Sequence, residues 1–282
     1  MRLLVTGGAG MLGQAVATAA SRLGHDVVAL SRADLDITDA DHVRRVIAAA
    51  EPRAVVNCAA WTDVDAAETA EAAATAVNGG GAGNVARAAV ENGARLVHVS
   101  TDYVFDGAKG EPWVESDPVA PIGAYGRSKL AGEDAVAEAG DEYAIVRTAW
   151  LFGAGGRNFV DTMLALGEER DEVTVVADQV GSPTWSGHLA EALVELAERG
   201  GDVGIFHAAG RGACSWYELA VEVFDRANVR CRTLPTTSDR FPRPARRPAY
   251  SVLGSERDEA PVLPRWQDGV AAYLADRTVV AG

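Results

Sequence analysis

An α/β fold, a doubly wound parallel sheet with a smaller C-terminal lobe, is predicted by three features of the 282-residue sequence. Short apolar runs alternate with helical patterns through the first half, the signature of βα units around a parallel sheet. A glycine-rich string, Gly7-Gly8-Ala9-Gly10-Met11-Leu12-Gly13, follows the first of these runs directly. After residue 150 the alternation loosens. Residues 1–150 are therefore assigned mainly to the sheet domain. Residues 151–282 are assigned mainly to the lobe, with some segments returning to the sheet. That length suits one large domain, or a main domain carrying a lobe.

Arg2–Thr6 is the first apolar run and reads as a strand. Met11–Leu23, rich in alanine, reads as the helix opened by the glycine turn. Asp26–Leu30 is the second strand and Ala40–Ala50 a helix. Ala54–Asn57 is the third strand, followed by a long alanine-rich helical region ending near Glu91. Arg95–Ser100 is the fourth strand, Tyr125–Ala139 a helix and Tyr143–Thr148 the fifth strand. In the second half, helices are predicted at Phe159–Glu169, Ser186–Arg199 and Ser215–Ala227, and short strands at Val173–Val176 and Gly204–His207. Leu234–Pro248 carries four prolines and reads as an extended loop.

Composition excludes several classes of function. A net charge of −14 argues against a nucleic-acid binder, which needs basic patches. No run approaches the ~20 apolar residues of a membrane span, and the opening apolar run is too short for a signal peptide, so a cytoplasmic protein is expected. Cys58, Cys214 and Cys231 lie at no metal-like spacing, and no metal site is expected. The five histidines pair with no carboxylate at a useful spacing and are assigned to packing or surface. Lysine occurs only at 109 and 129, against 24 arginines. A lysine kept at 129 points to a need for its compact ammonium.

The glycines stand at G-x-x-G-x-x-G spacing between a strand and a helix. Gly7 permits the tight turn, Gly10 lets the backbone approach a pyrophosphate, and Gly13 lets the helix pack close. With Met11 and Leu12 they would offer backbone N–H groups to phosphate, as in a Rossmann-like dinucleotide site. At the end of the second strand Ser31 and Arg32 come first, favouring the 2′-phosphate of NADPH over NADH, which stays the alternative. Asp36 and Ile37 would lie beside the adenine. At the end of the third strand Cys58, Ala59, Ala60 and Thr62 leave room for ribose and nicotinamide. Thr101 ends the fourth strand, where a hydroxyl can meet a substrate carbonyl. Tyr125 and Lys129 are four apart, on one helix face. A lysine cation beside the phenol would pull the tyrosine below its free pKa of about 10 and make it a better proton donor.

Together these motifs resemble the extended short-chain dehydrogenase/reductase superfamily. Within it, Ser100–Gly107, Arg147–Gly153, Asn158–Val160, Asp178–Thr184, Ser215–Glu218 and Arg247–Leu253 are similar to the signatures of the dTDP-4-dehydrorhamnose reductase family, in order along the chain. The resemblance implies reduction of the C4 ketone of a nucleotide-activated 4-keto-6-deoxy sugar by NAD(P)H. It implies a catalytic trio of Thr101, Tyr125 and Lys129, the last two also touching coenzyme. It places Asp102, Tyr103, Trp150 and Asn158 in the sugar pocket. Gly181, Ser182, Pro183, Thr184 and Arg247 would sit toward the diphosphate. Tyr103 stands where related dehydratases carry glutamate, which favours simple reduction over water loss. Some members bind magnesium at a dimer interface through a glutamate where this chain has Ala15, so a metal-bridged dimer is not expected, and monomer and homodimer both stay open. Met11 and Ala149 also depart from the family pattern and leave room for another deoxysugar, dihydrostreptose-type or antibiotic. A non-catalytic regulatory subunit of the same fold is the remaining alternative.

Overall fold

The computed structural model describes residues 1–280; the last two residues assigned to the lobe lie outside the described residues. The chain begins β1 (Arg2–Thr6), α1 (Met11–Arg22), β2 (Asp26–Leu30), α2 (Ala40–Ala50) and β3 (Ala54–Asn57). It continues through α3 (Val64–Ala67), α4 (Glu71–Thr75), a π-helical turn (Ala76–Gly81) and α5 (Ala82–Glu91) to β4 (Arg95–Thr101). Next come α6 (Ala124–Ala139), β5 (Tyr143–Thr148), β6 (Leu151–Phe152), α7 (Phe159–Glu169), β7 (Glu172–Val176), β8 (Val180–Gly181) and β9 (Thr184–Trp185). The last elements are α8 (Ser186–Glu198), β10 (Gly204–His207), β11 (Cys214–Ser215), α9 (Trp216–Ala227), β12 (Arg232–Thr236) and α10 (Trp266–Val280).

The central sheet is parallel, with strand order β10-β5-β4-β3-β1-β2. Its strands read as apolar runs because both faces are covered. Leu3, Val5, Val56 and Val97 face α1 and α8, where Val16, Leu189 and Leu193 are fully buried. Leu4, Val55, Leu96 and Ile145 face α2, α5 and α6. The order reverses at β1, between β2 on one side and β3 on the other. A crevice opens at such a switch point, outside the carboxyl ends of the strands. A further core joins α7, β7, α9 and α10 through Phe152, Val160, Val223, Val270 and Tyr273. Among the described residues no helix is long and apolar enough to cross a membrane.

Several elements differ from the sequence reading, which has no counterpart for the two-residue strands β6, β8, β9 and β11. The helical region before Glu91 is broken rather than continuous: α3 and α4 are short, and Gly79–Gly81 form part of a π-helical turn. A side chain on Gly81 would meet Ile37 at 2.7 Å. That wide turn also delivers the Asn78 side chain to the Trp61 backbone and the Ser128 hydroxyl. Residues 232–236, read from Leu234 onward as loop, form β12, paired in parallel with β7. Pro235 is tolerated because the ribbon has only two strands, so each strand keeps a free edge. Helix α10 has no counterpart in the sequence reading.

Candidate active site

A cleft of about 810 Å³ runs along the carboxyl edge of the sheet. Its floor begins at the turn after β1. Gly7 holds φ +67°, and a Cβ there would stand 2.7 Å from the Ala59 nitrogen. At Gly13 a Cβ would fall 2.2 Å from the Gly7 carbonyl oxygen, so only glycine lets α1 sit this close. Gly10 is the N-cap of α1 and gives it no side-chain cap, and the first turn carries no acidic residue. The first N–H groups of the helix thus face the cleft without a capping side chain. Gly7, Gly10, Met11, Leu12 and Gly13 all line the cleft.

Along one side stand Arg32, Asp36 and Ile37, with Leu35 between them. Arg32 is 84% exposed and reaches Asp36 only at 3.9 Å, so its guanidinium is largely free. Ser31 differs from expectation. Its hydroxyl donates to Asp34 Oδ2 at 2.6 Å, its N–H donates to the same oxygen, and it does not line the cleft. Cys58, Ala59, Ala60 and Thr62 form the wall after β3. Burial raises the Cys58 thiol to about 12, which makes it a small inert wall residue. Apart from Trp61, the side chains of this stretch are small and leave room for a dinucleotide, and the donor set at α1 suits its phosphates.

Tyr125 and Lys129 project from α6 into the cleft beside Thr101. The helix is seated by its own sequence. Gly126 packs against the Tyr103 carbonyl oxygen, where a Cβ would fall at 2.2 Å. The Ser128 hydroxyl donates to the Tyr125 carbonyl and accepts from Asn78. Arg127 points outward to Glu71. Lys129 is 2% exposed, and its Nζ donates to the Val99 carbonyl at 2.6 Å. Burial lowers its pKa to about 8, against an opposing pull from Glu133. The Tyr125 phenol moves the other way from the sequence expectation. Burial, reinforced by the negative field of Asp102, raises it to about 12, and only the Thr101 hydroxyl opposes this. In the structure the lysine does not set the tyrosine's acidity, because its ammonium is directed to the strand backbone.

Asp102 is buried next to this trio. It accepts from the Thr101 hydroxyl at 3.0 Å, and its Oδ2 is buried without a hydrogen-bond partner. Burial raises its pKa to about 6. Tyr103 and Trp150 also line the cleft. Trp150 takes φ +46° and lies face to face with Trp216, ring centroids 3.5 Å apart. Gly181 sits behind that indole, where a Cβ would meet it at 2.3 Å.

Other residues assigned to substrate lie outside the cleft lining. Asn158 caps α7: its Oδ1 accepts from the Asp161 N–H, while its Nδ2 donates to Gly153 O. The Thr184 hydroxyl is buried, donating to Ser182 O and accepting from the Gly210 N–H. Ser182 is buried and Pro183 packs near Gly210, so this turn supports Trp150 from behind. Arg247 pairs with Asp65 at 3.0 Å and also donates to Ala245 O.

Sequence reasoning missed several groups. Beneath Lys129, Glu133 is 3% exposed and holds Arg147, 2% exposed, through contacts of 2.9 and 2.6 Å. The same carboxylate accepts from the Ser100 hydroxyl at 2.5 Å. Its position, one turn after Lys129, was a visible signal. His98 accepts from Asn57 Nδ2 at 3.0 Å, and Asn57 accepts from the Thr6 hydroxyl at 2.6 Å, joining the ends of β1 and β3 to the middle of β4. His25 meets Glu198 at 3.0 Å, a pairing that no sequence spacing shows. Gly155, Gly156 and Arg157 line the cleft opposite the glycine turn.

The family described as RmlD substrate binding domain matches residues 1–279. A dTDP-4-keto-6-deoxy-D-glucose reductase of Streptomyces niveus is 47% identical, covering 90% of this chain and 89% of that protein. A dTDP-4-dehydrorhamnose reductase of Mycolicibacterium smegmatis is 44% identical over 98% of this chain and 87% of its own length. The crystal structure of dTDP-4-dehydrorhamnose reductase from Bacillus anthracis in complex with NADP superposes with a TM-score of 0.94 at 38% identity, covering 98% of this chain and 99% of that one.

Proposed function

The chain belongs to the family of the RmlD substrate binding domain, and from that premise we propose that it reduces the C4 ketone of dTDP-4-dehydrorhamnose to give dTDP-rhamnose. It is an NAD(P)H-dependent oxidoreductase of the dTDP-4-dehydrorhamnose reductase type. The observation that carries the proposal is the meeting of Thr101, Tyr125 and Lys129 in one cleft with the uncapped end of α1.

Gly7, Gly10, Met11, Leu12 and Gly13 would hold the pyrophosphate. Arg32 would meet the 2′-phosphate of NADPH, the preferred coenzyme, and Cys58 to Thr62 would flank the nicotinamide ribose. When bound, the coenzyme supplies the hydride. The ketone oxygen would be oriented by the Thr101 hydroxyl, on turning from Asp102, and would take its proton from the Tyr125 hydroxyl. A phenol held near 12 stays fully protonated at neutral pH and is a ready donor to a developing alkoxide, which is more basic still. Lys129, pinned by the Val99 carbonyl, would hold its charge beside the reaction and next to the coenzyme ribose. Asp102, Tyr103 and Trp150 would contact the sugar. Arg247 would reach the diphosphate on leaving Asp65. The protein would act in the cytoplasm, as monomer or homodimer.

The test follows reduced-nicotinamide absorbance with a dTDP-4-keto-6-deoxyhexose generated in situ, with and without a 3,5-epimerase. Turnover that needs the epimerase and vanishes in Tyr125→Phe supports the proposal. Equal turnover without epimerase points instead to the 4-keto-6-deoxyglucose substrate named for the Streptomyces niveus relative.

A further inference from the structure

The loop 153–157 crosses from the second half of the chain onto the first turn of α1. Its glycines are required there. Gly155 holds φ +83°, and a Cβ would lie 2.9 Å from the Gln14 side-chain amide. A Cβ on Gly156 would stand 3.2 Å from that of Met11. The far end of the loop is anchored by Asn158, whose Nδ2 donates to the carbonyls of Gly153 and Gly156. Arg157 lies between this packed glycine and this anchor, and it lines the cleft.

The charges around the cleft make Arg157 distinctive. Lys129 is tied to a backbone carbonyl, and Arg32, largely free with Asp36 only at 3.9 Å, follows β2. Among the described residues Arg157 has neither a carboxylate within ion-pair distance nor a hydrogen-bond partner. In a chain of net charge −14, a free guanidinium opposite an uncapped helix N-terminus creates a positive pinch point. A doubly charged diester bridge fits between them. The guanidinium fork would take its oxygens from one side and the α1 N–H groups from the other.

We infer that Arg157, reaching over from the second half of the chain, clamps the pyrophosphate of the dinucleotide against the N-terminus of α1. This rests on the coenzyme assignment above and deepens it by adding a hand that no glycine motif contains. The residue is exposed and unpaired, so its replacement leaves the fold intact.

The test is equilibrium titration of wild type, Arg157→Gln and Arg32→Ala with NADPH, NADH and adenosine, without sugar. Arg157→Gln should bind NADPH and NADH about tenfold more weakly, by the same factor, and bind adenosine, which has no phosphate, as wild type does. Arg32→Ala should weaken NADPH alone. Unchanged dinucleotide affinity in Arg157→Gln overturns the clamp. So does a loss confined to NADPH, which would assign Arg157 to the 2′-phosphate, or an equal loss for adenosine. A wild type that binds neither dinucleotide overturns the coenzyme assignment itself, and the clamp with it.

Discussion

Glu133→Gln isolates the buried polar layer beneath the cleft. The wild-type carboxylate takes two arms of the Arg147 guanidinium and the Ser100 hydroxyl. Both charged side chains are almost wholly out of water. Glutamine offers one acceptor oxygen and no charge, so the guanidinium would be left buried and uncompensated. Arg147 Nη1 already has no hydrogen-bond partner, and its remaining support is the Phe105 ring, 5.1 Å away. Removing one member of such a pair costs about 3–5 kcal/mol. In a chain of this size each kcal/mol lowers the melting temperature by about 2–4 °C, so a fall of roughly 6–20 °C is expected. Thermal unfolding by circular dichroism measures it. The double variant Glu133→Leu with Arg147→Met should recover most of the loss, because a packed apolar pair needs no counterion. A fall below about 2 °C in Glu133→Gln, or a double variant no better than the single one, would refute the reasoning.

Two further outcomes follow from the cleft. The Asp102 carboxyl titrates at about 6 when folded and near its ordinary 3.8 when unfolded. Between those values the folded chain binds more protons, so this group's contribution falls as pH rises, by about 3 kcal/mol across the window. Asp102→Asn should therefore gain on wild type between pH 4 and pH 6 in denaturant titrations; a constant difference would show that the carboxyl is not desolvated. Gly13→Ala should lose about 1–3 kcal/mol of stability and most of its coenzyme affinity, since its methyl meets backbone at Gly7 and Gly8. Wild-type coenzyme binding in that variant would contradict the close approach of α1.

Much of the molecule was legible before any coordinates. Buried parallel strands read as apolar runs because both faces are covered, and β1 to β5 fell where such runs occur. The glycine turn was readable because a close backbone approach admits only one residue type. Tyr125 and Lys129 were readable because helical spacing alone puts them on one face. What was hidden depends on groups far apart in the chain. Ser31 turned to Asp34 rather than the cleft, Asn158 became a helix cap, and Arg247 found Asp65, each through a local or cross-lobe bond no motif states. The acidity of Tyr125 was misjudged because the reading counted its neighbour's charge and not the burial around it. The broken helix before α5 was masked by its alanines, and β12 by its proline.

Trp150 occupies a left-handed backbone conformation, which costs a non-glycine residue about 1–3 kcal/mol and persists only where its surroundings impose it. Its ring is sandwiched between the Gly181 backbone and Trp216, and it borders the cleft. Two parallel indoles stacked in van der Waals contact are electronically coupled, so the emission of the pair should change when a ligand touches the Trp150 ring. If the sugar docks on Trp150 as proposed, the chain carries an optical gauge of pocket occupancy, one that needs no dye and would register the sugar before any hydride has moved.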